Sequence, residues 1–547
     1  MLKHKLCRIA LVSLSFAFLG AQNPPAHHPL TFRINLAREA ADHRISGRMI
    51  VMLSPKPPRG AIFEPVAEVE IWIAAQEVQN LEPGSSIEVS GDMLAFPAPL
   101  STAPAGDYYA MALLDVDHNA AYHFTSPGDL YSKVVPIKGF DPAKNPQVEL
   151  TLSERVTAPL PATLPQNAER FDFVSPALSA FWGRPIHMRG VMVLPPDYAK
   201  TTIRYPTVYW THGFGGDERG IETRVAQQFS SLLNDHKIPP MLYVLLDESS
   251  PTGTHEFADS VNNGPWGTAL TKELIPHLEK HYRMMARPQG RFVTGHSSGG
   301  WAALWLGVTY PDVFGGTWPT APDPSDFRSF TGPNLRARPV DNMYRKSDGS
   351  PRMLVRIGGK DVESFDQFAK QERVLGDYSG QIASFEWVFS PRGEDGRPQQ
   401  LFDRDTGAIN PVVADAWEKY DIAEVIRSHA KTLGPKLQDH IHLTVGTADT
   451  FHLDEPARLL DQTLQELGIR AQFTYIEGRT HFDLYQGDLT IKIANEMEAV
   501  AHPKLAKPAV TRKKSTSGKS KFTEIWKHCP RRVHAGACQT DKEFQPG

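Results

Sequence analysis

The stretch RFVTGHSSGG, residues 291–300, puts a hydroxyl in a turn with very little side-chain bulk around it. An apolar, strand-like run leads into it. A helix-like run, SGGWAALWLGVTY, leads out and stops at Pro311. G-x-S-x-G between a strand and a helix predicts a nucleophile elbow, a turn sharp enough to hold the serine Oγ clear of the backbone for attack on an acyl carbon. Two serines compete for that role. Gly295 and Gly299 flank Ser297 at the required spacing, whereas Ser298 would need a glycine at 296 and has His296 instead. Ser297 is therefore the expected nucleophile.

A serine hydroxyl needs a base to take its proton and an acid to orient that base. On this kind of sheet the chain order is Ser, then Asp or Glu, then His, each past a strand end. HLTVGTADTFH places Asp449 just past an expected strand at 441–446, and FTYIEGRTHFD places His481 just past one at 472–476. Asp361, Asp454 and Asp483 compete with Asp449. The strand before Asp449 directly precedes the one carrying His481, and this favours Asp449. A tetrahedral oxyanion also needs fixed N–H donors. The expected donors are the backbone N–H of Ser298, whose side chain needs no role, and that of Phe214 in THGFGG, the glycine-rich loop after the strand at 206–211.

The elements that must position these groups follow from the rest of the chain. At 547 residues it is long enough for two or more domains. Its 41% hydrophobic and 22% charged residues are ordinary globular values. A net charge of -4 gives no reason to expect nucleic acid. Residues 1–21 have a basic start, an apolar stretch from Ile9 to Leu19 and the small pair Gly20 and Ala21. That is the layout of a secretory signal, too short to span a membrane, and it predicts an exported protein, periplasmic or secreted, with no membrane anchor after cleavage. Gln22 stands where a lipoprotein would need Cys. Of the three cysteines, Cys7 leaves with this segment, while Cys529 and Cys538 lie in the tail and are free to pair.

Residues 22–156 read as a β-rich domain, expected as a β-sandwich, with runs such as LTFRINLA, GRMIVMLS and YYAMALLDV between Pro/Gly breaks. DVDHN at 115–119 has alternating oxygen side chains but lacks the glycine and closing glutamate of a calcium loop, so it reads as a turn. A Pro-rich linker at 157–168 follows. From 169 to 501 strands alternate with helices, the signature of an α/β sheet. An insertion is expected near 362–438, where about 80 residues separate two strands. Beyond 502 the chain is basic and apolar-poor and is expected to be disordered. No HExxH and no Cys/His cluster of zinc spacing occurs, so no metal is expected. The sequence sets no oligomeric state.

Residues 170–500 resemble the serine esterase family of the α/β-hydrolases that includes esterase D, feruloyl and acetylxylan esterases, enterochelin esterases and the mycolyltransferases. The stretches that carry the resemblance are RGVMVLPPDY, YPTVYWTHGFGG, NNGPWGTALTKELIPHLEKHYR, GHSSGGWAALWLGVTYPDVFGG and the loops of Asp449 and His481. The resemblance implies hydrolysis of carboxylic esters through an acyl-enzyme, without metal or organic cofactor, and a Ser297–Asp449–His481 triad. The long segment after the elbow helix exceeds the minimal family core. A carbohydrate-linked or aromatic ester is the expected partner, with Trp266 and Trp318 as candidate stacking surfaces. Trp301 and Trp305, four apart on a helix, read as core. The rival readings are an acyltransferase using the same triad, a peptidase, and a non-catalytic binding protein on the same fold.

Overall fold

The computed structural model describes residues 30–63, 70–144, 146–376 and 378–503. The expected signal segment, the three cysteines and nearly all of the basic tail lie outside the described residues. Among the described residues, no helix is long and apolar enough to cross a membrane.

The amino-terminal strands are β1 (Thr31–Leu36), β2 (Ile45–Ser54), β3 (Trp72–Leu81), β4 (Ser86–Ser90), β5 (Ala95–Phe96), β6 (Gly106–Asp115), β7 (Leu130–Ser132), β8 (Val135–Phe140) and β9 (Val148–Arg155). They hydrogen-bond into one sheet of order β4-β1-β9-β7-β6-β2-β3-β5, with β8 paired to β6. The expectation of two stacked sheets differs from this connected pairing. The sheet curls instead: β4 and β5 sit at opposite ends of the order, yet four residues join them, and Ser90 N of β4 donates to Gln76 Oε1 of β3 at 3.4 Å. Curling lets one face enclose its own core, with Phe32, Met49, Val51, Leu53 and Leu114 buried together.

The opposite face of β2 is buried too, which explains why MIVMLS does not alternate. Ile50 and Met52 pack with Val374 and Leu375 of a helix from the second half of the chain. Arg48 fastens that contact. Its Nε and Nη2 donate to the carbonyls of Val374 and Arg373 at 2.8 and 2.7 Å, at the C-terminal end of that helix, where a cation is favoured.

The second sheet holds β10 (Ala168–Val174), β11 (His187–Val193), β12 (Thr207–Thr211), β13 (Leu242–Leu246), β14 (Arg291–His296), β15 (Gly316–Thr320), β16 (His442–Gly446) and β17 (Gln472–Ile476). Its order is β10-β11-β13-β12-β14-β15-β16-β17. The pairs β10–β11 and β11–β13 are antiparallel and the rest parallel. The apolar strands divide between two layers: Val208, Tyr243 and Leu245 enter one core, and Tyr209, Leu242, Val244 and Leu246 the other. The order reverses between β12 and β14, so the loops after these two strands diverge and leave a crevice at their carboxyl ends. The expected oxyanion loop and the expected nucleophile flank that crevice.

Three local features refine the sequence reading. RMLVRIGG forms the strand Met353–Ile357, which pairs antiparallel with Lys360–Ser364 outside the main sheet. The segment between β15 and β16 therefore runs from 321 to 441, wider than 362–438. The elbow helix α1 (Ser298–Thr309) is buried on nearly every side, because that segment covers its outer face. Trp301 meets Phe389 at 5.0 Å and Trp305 meets Tyr420 at 5.7 Å. TALTKELIPHLEKHY lies in a continuous helical run, in which Leu270–Leu274 is wound as a π-helix just ahead of Pro276. The wider turn accommodates the missing proline N–H. The 321–441 segment also contributes α2 (Phe365–Leu375), the helix held by Arg48, and α3 (Gln381–Phe389).

Asp115, Asp117 and Asp129 bring carboxylate oxygens within 4.8 Å of one another. The two buried members accept backbone N–H groups: Asp115 from Asn119 and Ala120 at 3.1 and 2.9 Å, Asp129 from Val116 and Ser126 at 3.0 and 2.6 Å. DVDHN is thus a turn held by its own side chains.

Candidate active site

Ser297 occupies φ 60° and ψ -123°, a conformation that a side chain strains to adopt. The neighbouring glycines show why the turn tolerates nothing larger. A Cβ on Gly295 would lie 2.2 Å from the Gly299 carbonyl oxygen, and one on Gly299 would lie 2.2 Å from that of His212. Thr211 of β12 sits in register with Gly295 of β14, so the loop after β12 packs directly on the elbow. A Cβ on Gly213 would lie 3.0 Å from Ser297 Cβ, which puts the following residue, Phe214, beside the expected nucleophile. Ser298 opens α1, where backbone N–H groups have no partner within the helix.

His481 and Asp449 come together. His481 Nδ1 lies 2.9 Å from Asp449 Oδ2, and both side chains are buried. Asp449 Oδ1 accepts the N–H groups of Phe451 and Leu453 at 2.9 and 3.3 Å. Burial opposes ionisation of this carboxyl, but His481 and these two N–H groups outweigh it and hold its pKa below the ordinary value. The competing acids are engaged elsewhere. Asp454 pairs with Arg356 at 2.8 Å, Asp483 accepts the Thr480 N–H at 2.6 Å, and Asp361 lies out on the 353–364 hairpin, 3.8 Å from His452. Arg356 of that hairpin also donates to the Asp449 carbonyl at 2.7 Å, so the 321–441 segment braces the loop that carries the acid.

His481 reaches the elbow through His296, whose ring lies 4.4 Å from its own. Burial pushes His296 down to about 3. It is a neutral wall, held by Thr320 Oγ1 at 3.1 Å. Ser297 and His481 both line one cavity of about 2450 Å³, which the β domain closes on one side with Tyr122, His123 and Phe124. Ser297 Oγ makes a long contact, 3.4 Å, with Asp323 Oδ1.

Ser298 has a side-chain partner that its spacing does not announce. Fully buried, its Oγ donates to Asp323 Oδ2 at 2.6 Å, and Gln381 Nε2 of α3 donates to the same oxygen at 3.2 Å. Burial, against the Ser298 hydrogen bond, pushes Asp323 up to about 6. The pair Asp247 and His212 also escaped the sequence reading, although Asp247 follows a strand end as catalytic-site acids do. His212 Nε2 lies 2.9 Å from Asp247 Oδ1, and its Nδ1 donates to the Gly213 carbonyl at 2.8 Å. Burial works against the charged imidazole, but Asp247 and Glu248 raise His212 to about 9.

Trp266 and Trp318 lie elsewhere, which corrects their expected role. The Trp266 ring stacks on His255 at 3.6 Å and its Nε1 donates to the Asn263 carbonyl. Trp318, on β15, stacks on His442 at 4.4 Å and donates to Glu496. Both are packed into the protein interior, with no face turned to the cavity that holds Ser297. The rings that do surround His481 are Phe451 and Phe482, at 5.0 and 5.3 Å.

Glu248, fully buried beside this site, supplies a test of its electrostatics. Burial, resisted by His212 and Thr211 and reinforced by Asp247 and Asp323, pushes its carboxyl up to about 8. The folded state therefore holds the proton more tightly than the unfolded chain does. That stabilisation is complete below about pH 4.5 and is lost as pH rises through about 8. Glu248→Gln removes the titration. Chemical unfolding at pH 5 and pH 8 should show the variant gaining on the native protein at the higher pH, by on the order of 1–3 kcal/mol. An equal offset at both values would contradict the assignment.

The family described as "Putative esterase" matches residues 182–492, more than half of the chain. Among curated proteins, an esterase of Mycobacterium tuberculosis is 32% identical over 125 residues, 22% of this chain and 26% of that protein. The iron(III) enterobactin esterase of Escherichia coli K12 is 31% identical over 86 residues, 16% of this chain and 21% of that protein. The chain thus spans about a quarter of the length of the curated esterases it matches. Similar solved structures include a ferulic acid esterase, at 13% identity and TM-score 0.40, covering 62% of this chain and 100% of that one. An S-formylglutathione hydrolase from Agrobacterium tumefaciens is also similar, at 14% identity and TM-score 0.36, covering 63% and 98%. With the elbow, the strand order and this match over residues 182–492, the chain belongs to the esterase family of the α/β-hydrolase superfamily.

Proposed function

We propose that the protein is a serine esterase that cleaves carboxylic esters through an acyl-enzyme on Ser297. The observation that carries this reading is the buried His481–Asp449 pair at 2.9 Å, in the same cavity as a strained Ser297. Asp449 accepts the Nδ1–H of His481 and so keeps Nε2 unprotonated. Nε2 takes the Ser297 proton as Oγ attacks the ester carbonyl carbon. The N–H groups of Phe214 and Ser298 stabilise the oxyanion. The alcohol leaves with the proton from His481. Water, deprotonated by the same nitrogen, then attacks the acyl carbon and frees Ser297 and the acid. The scheme calls on no metal or cofactor.

Rings support an aromatic ester as the substrate class. Phe214, Phe451 and Phe482 line the cavity around the reacting groups, offering faces and edges to a flat group. The proposal that the protein is exported rests on residues 1–21 alone.

The test is stopped-flow hydrolysis of p-nitrophenyl acetate, followed by steady-state rates on methyl esters of aromatic and aliphatic acids. The expected result is a burst of nitrophenolate equal to the enzyme concentration and a preference for the aromatic acids. No release above buffer overturns the reading. Acyl transfer to an added alcohol in preference to water would reassign the protein as an acyltransferase.

A further inference from the structure

The loop His212–Asp217 carries three glycines, Gly213, Gly215 and Gly216, so its backbone has little conformational stiffness of its own. An oxyanion donor must nevertheless be fixed before the reaction begins. From below, the His212 ring holds the Gly213 carbonyl at 2.8 Å and is itself held by Asp247. From above, the contacts come from the amino-terminal β domain. Tyr122 Oη donates to the Gly216 carbonyl at 2.7 Å, and its ring meets the Phe214 ring edge-on at 4.7 Å and 80°. His123, packed edge-on against Tyr122 at 4.5 Å, brings Nε2 to 4.0 Å from the Asp217 carboxylate. Three residues of one six-residue loop are thus touched by two consecutive residues of the other domain.

Tyr122 is itself fixed. It is 1% exposed and sits in the helical turn Ala120–His123, whose start is held by the Asp115 carboxylate. The domain is fastened to the 321–441 segment through Arg48, and Ser379 Oγ donates to the His118 carbonyl at 3.1 Å. We propose that the amino-terminal β domain completes the active site by holding the oxyanion loop, with Tyr122 as the positioning residue. The proposal rests on the esterase reading above. It makes the β domain part of the catalytic machinery rather than an appendage that only recruits substrate.

The experiment compares the native protein, Tyr122→Phe and Tyr122→Ala in the full chain. Tyr122→Phe keeps the ring on Phe214 and loses the bond to Gly216; Tyr122→Ala loses both. The readouts are kcat and KM on p-nitrophenyl acetate and inhibition by phenylboronic acid. Boron bonds to the serine Oγ, becomes tetrahedral and presents an anionic oxygen to the donors. Tyr122→Ala should lower kcat by about 30-fold, less than the loss of a whole donor, and weaken boronate inhibition in parallel. KM should stay within about 2-fold, because binding common to ground and transition states is untouched. Tyr122→Phe should fall between the two. If Tyr122→Ala does not fold, a kcat loss of about 3-fold or more in Tyr122→Phe with unchanged KM still supports the proposal. A folded variant with native kcat and native boronate affinity overturns it, as does a loss confined to KM. A native protein that neither cleaves the ester nor binds the boronate removes the esterase reading itself.

Discussion

Ser297→Ala should lower kcat/KM for ester hydrolysis by at least about 10⁴-fold while leaving the fold intact, as measured by nitrophenolate release beside a thermal unfolding curve. The size of the loss follows from the mechanism. Without Oγ no acyl-enzyme forms, and what remains is water attacking a carbonyl held near two N–H donors. The strain makes a second readout informative. Ser297 holds φ 60° because Gly295, Gly299 and Gly213 leave no alternative path for the turn. The hydroxyl itself makes only a 3.4 Å contact with Asp323, so removing it sacrifices little. The expected change in unfolding midpoint is within about 2 °C, consistent with a stability change below about 0.5 kcal/mol. A variant that keeps native activity would place the nucleophile elsewhere.

Asp449→Asn carries the second large effect. The native carboxylate accepts from His481 Nδ1 at 2.9 Å and, through its other oxygen, from the N–H groups of Phe451 and Leu453. An amide fills the same space. Its oxygen satisfies the two backbone donors, which turns its NH₂ towards His481. Nδ1 must then accept instead of donate, and Nε2 becomes protonated and useless as a base. The expected loss in kcat at neutral pH is about 10³- to 10⁴-fold, with KM little changed. The double variant Ser297→Ala, Asp449→Asn should be no worse than Ser297→Ala alone, since the imidazole has no task without the hydroxyl it serves. Additive losses would mean that Asp449 acts by some route other than the Ser297 proton.

Much of this arrangement is legible in the chain because its causes are local. A glycine at 295 and another at 299 leave one position for a serine on a sharp turn. Asp449 and His481 each stand a few residues past an apolar run, and strand order then brings them together. The sheet itself announces its parallel part through unbroken apolar runs such as MLYVLL. What the sequence hides depends on distant parts of the chain. Tyr122 meets Gly216 across 94 residues, and nothing near either one marks the other. The Ser298–Asp323–Gln381 contacts need the 321–441 segment to fold back over the elbow. With its outer face covered by that segment, α1 lacks the polar face that an elbow helix facing solvent would show. Trp266 and Trp318 mislead for the opposite reason: aromatic residues beside a motif look like a binding surface until their partners, His255 and His442, are seen. The β-rich amino-terminal region shows its strands but not its curl, because curling depends on which edges meet.

The central claim is that Ser297 is the acylated residue, and covalent labelling tests it most directly. Diethyl p-nitrophenyl phosphate reacts with an activated serine by attack of Oγ on phosphorus and departure of p-nitrophenolate, leaving a diethylphosphoryl group on the enzyme. Intact-mass measurement followed by peptide mapping should find one such group per chain, on Ser297. Ester hydrolysis should fall in proportion to labelling, and Ser297→Ala should take up none. Labelling at another residue, or ester hydrolysis that persists in fully labelled protein, would contradict the account.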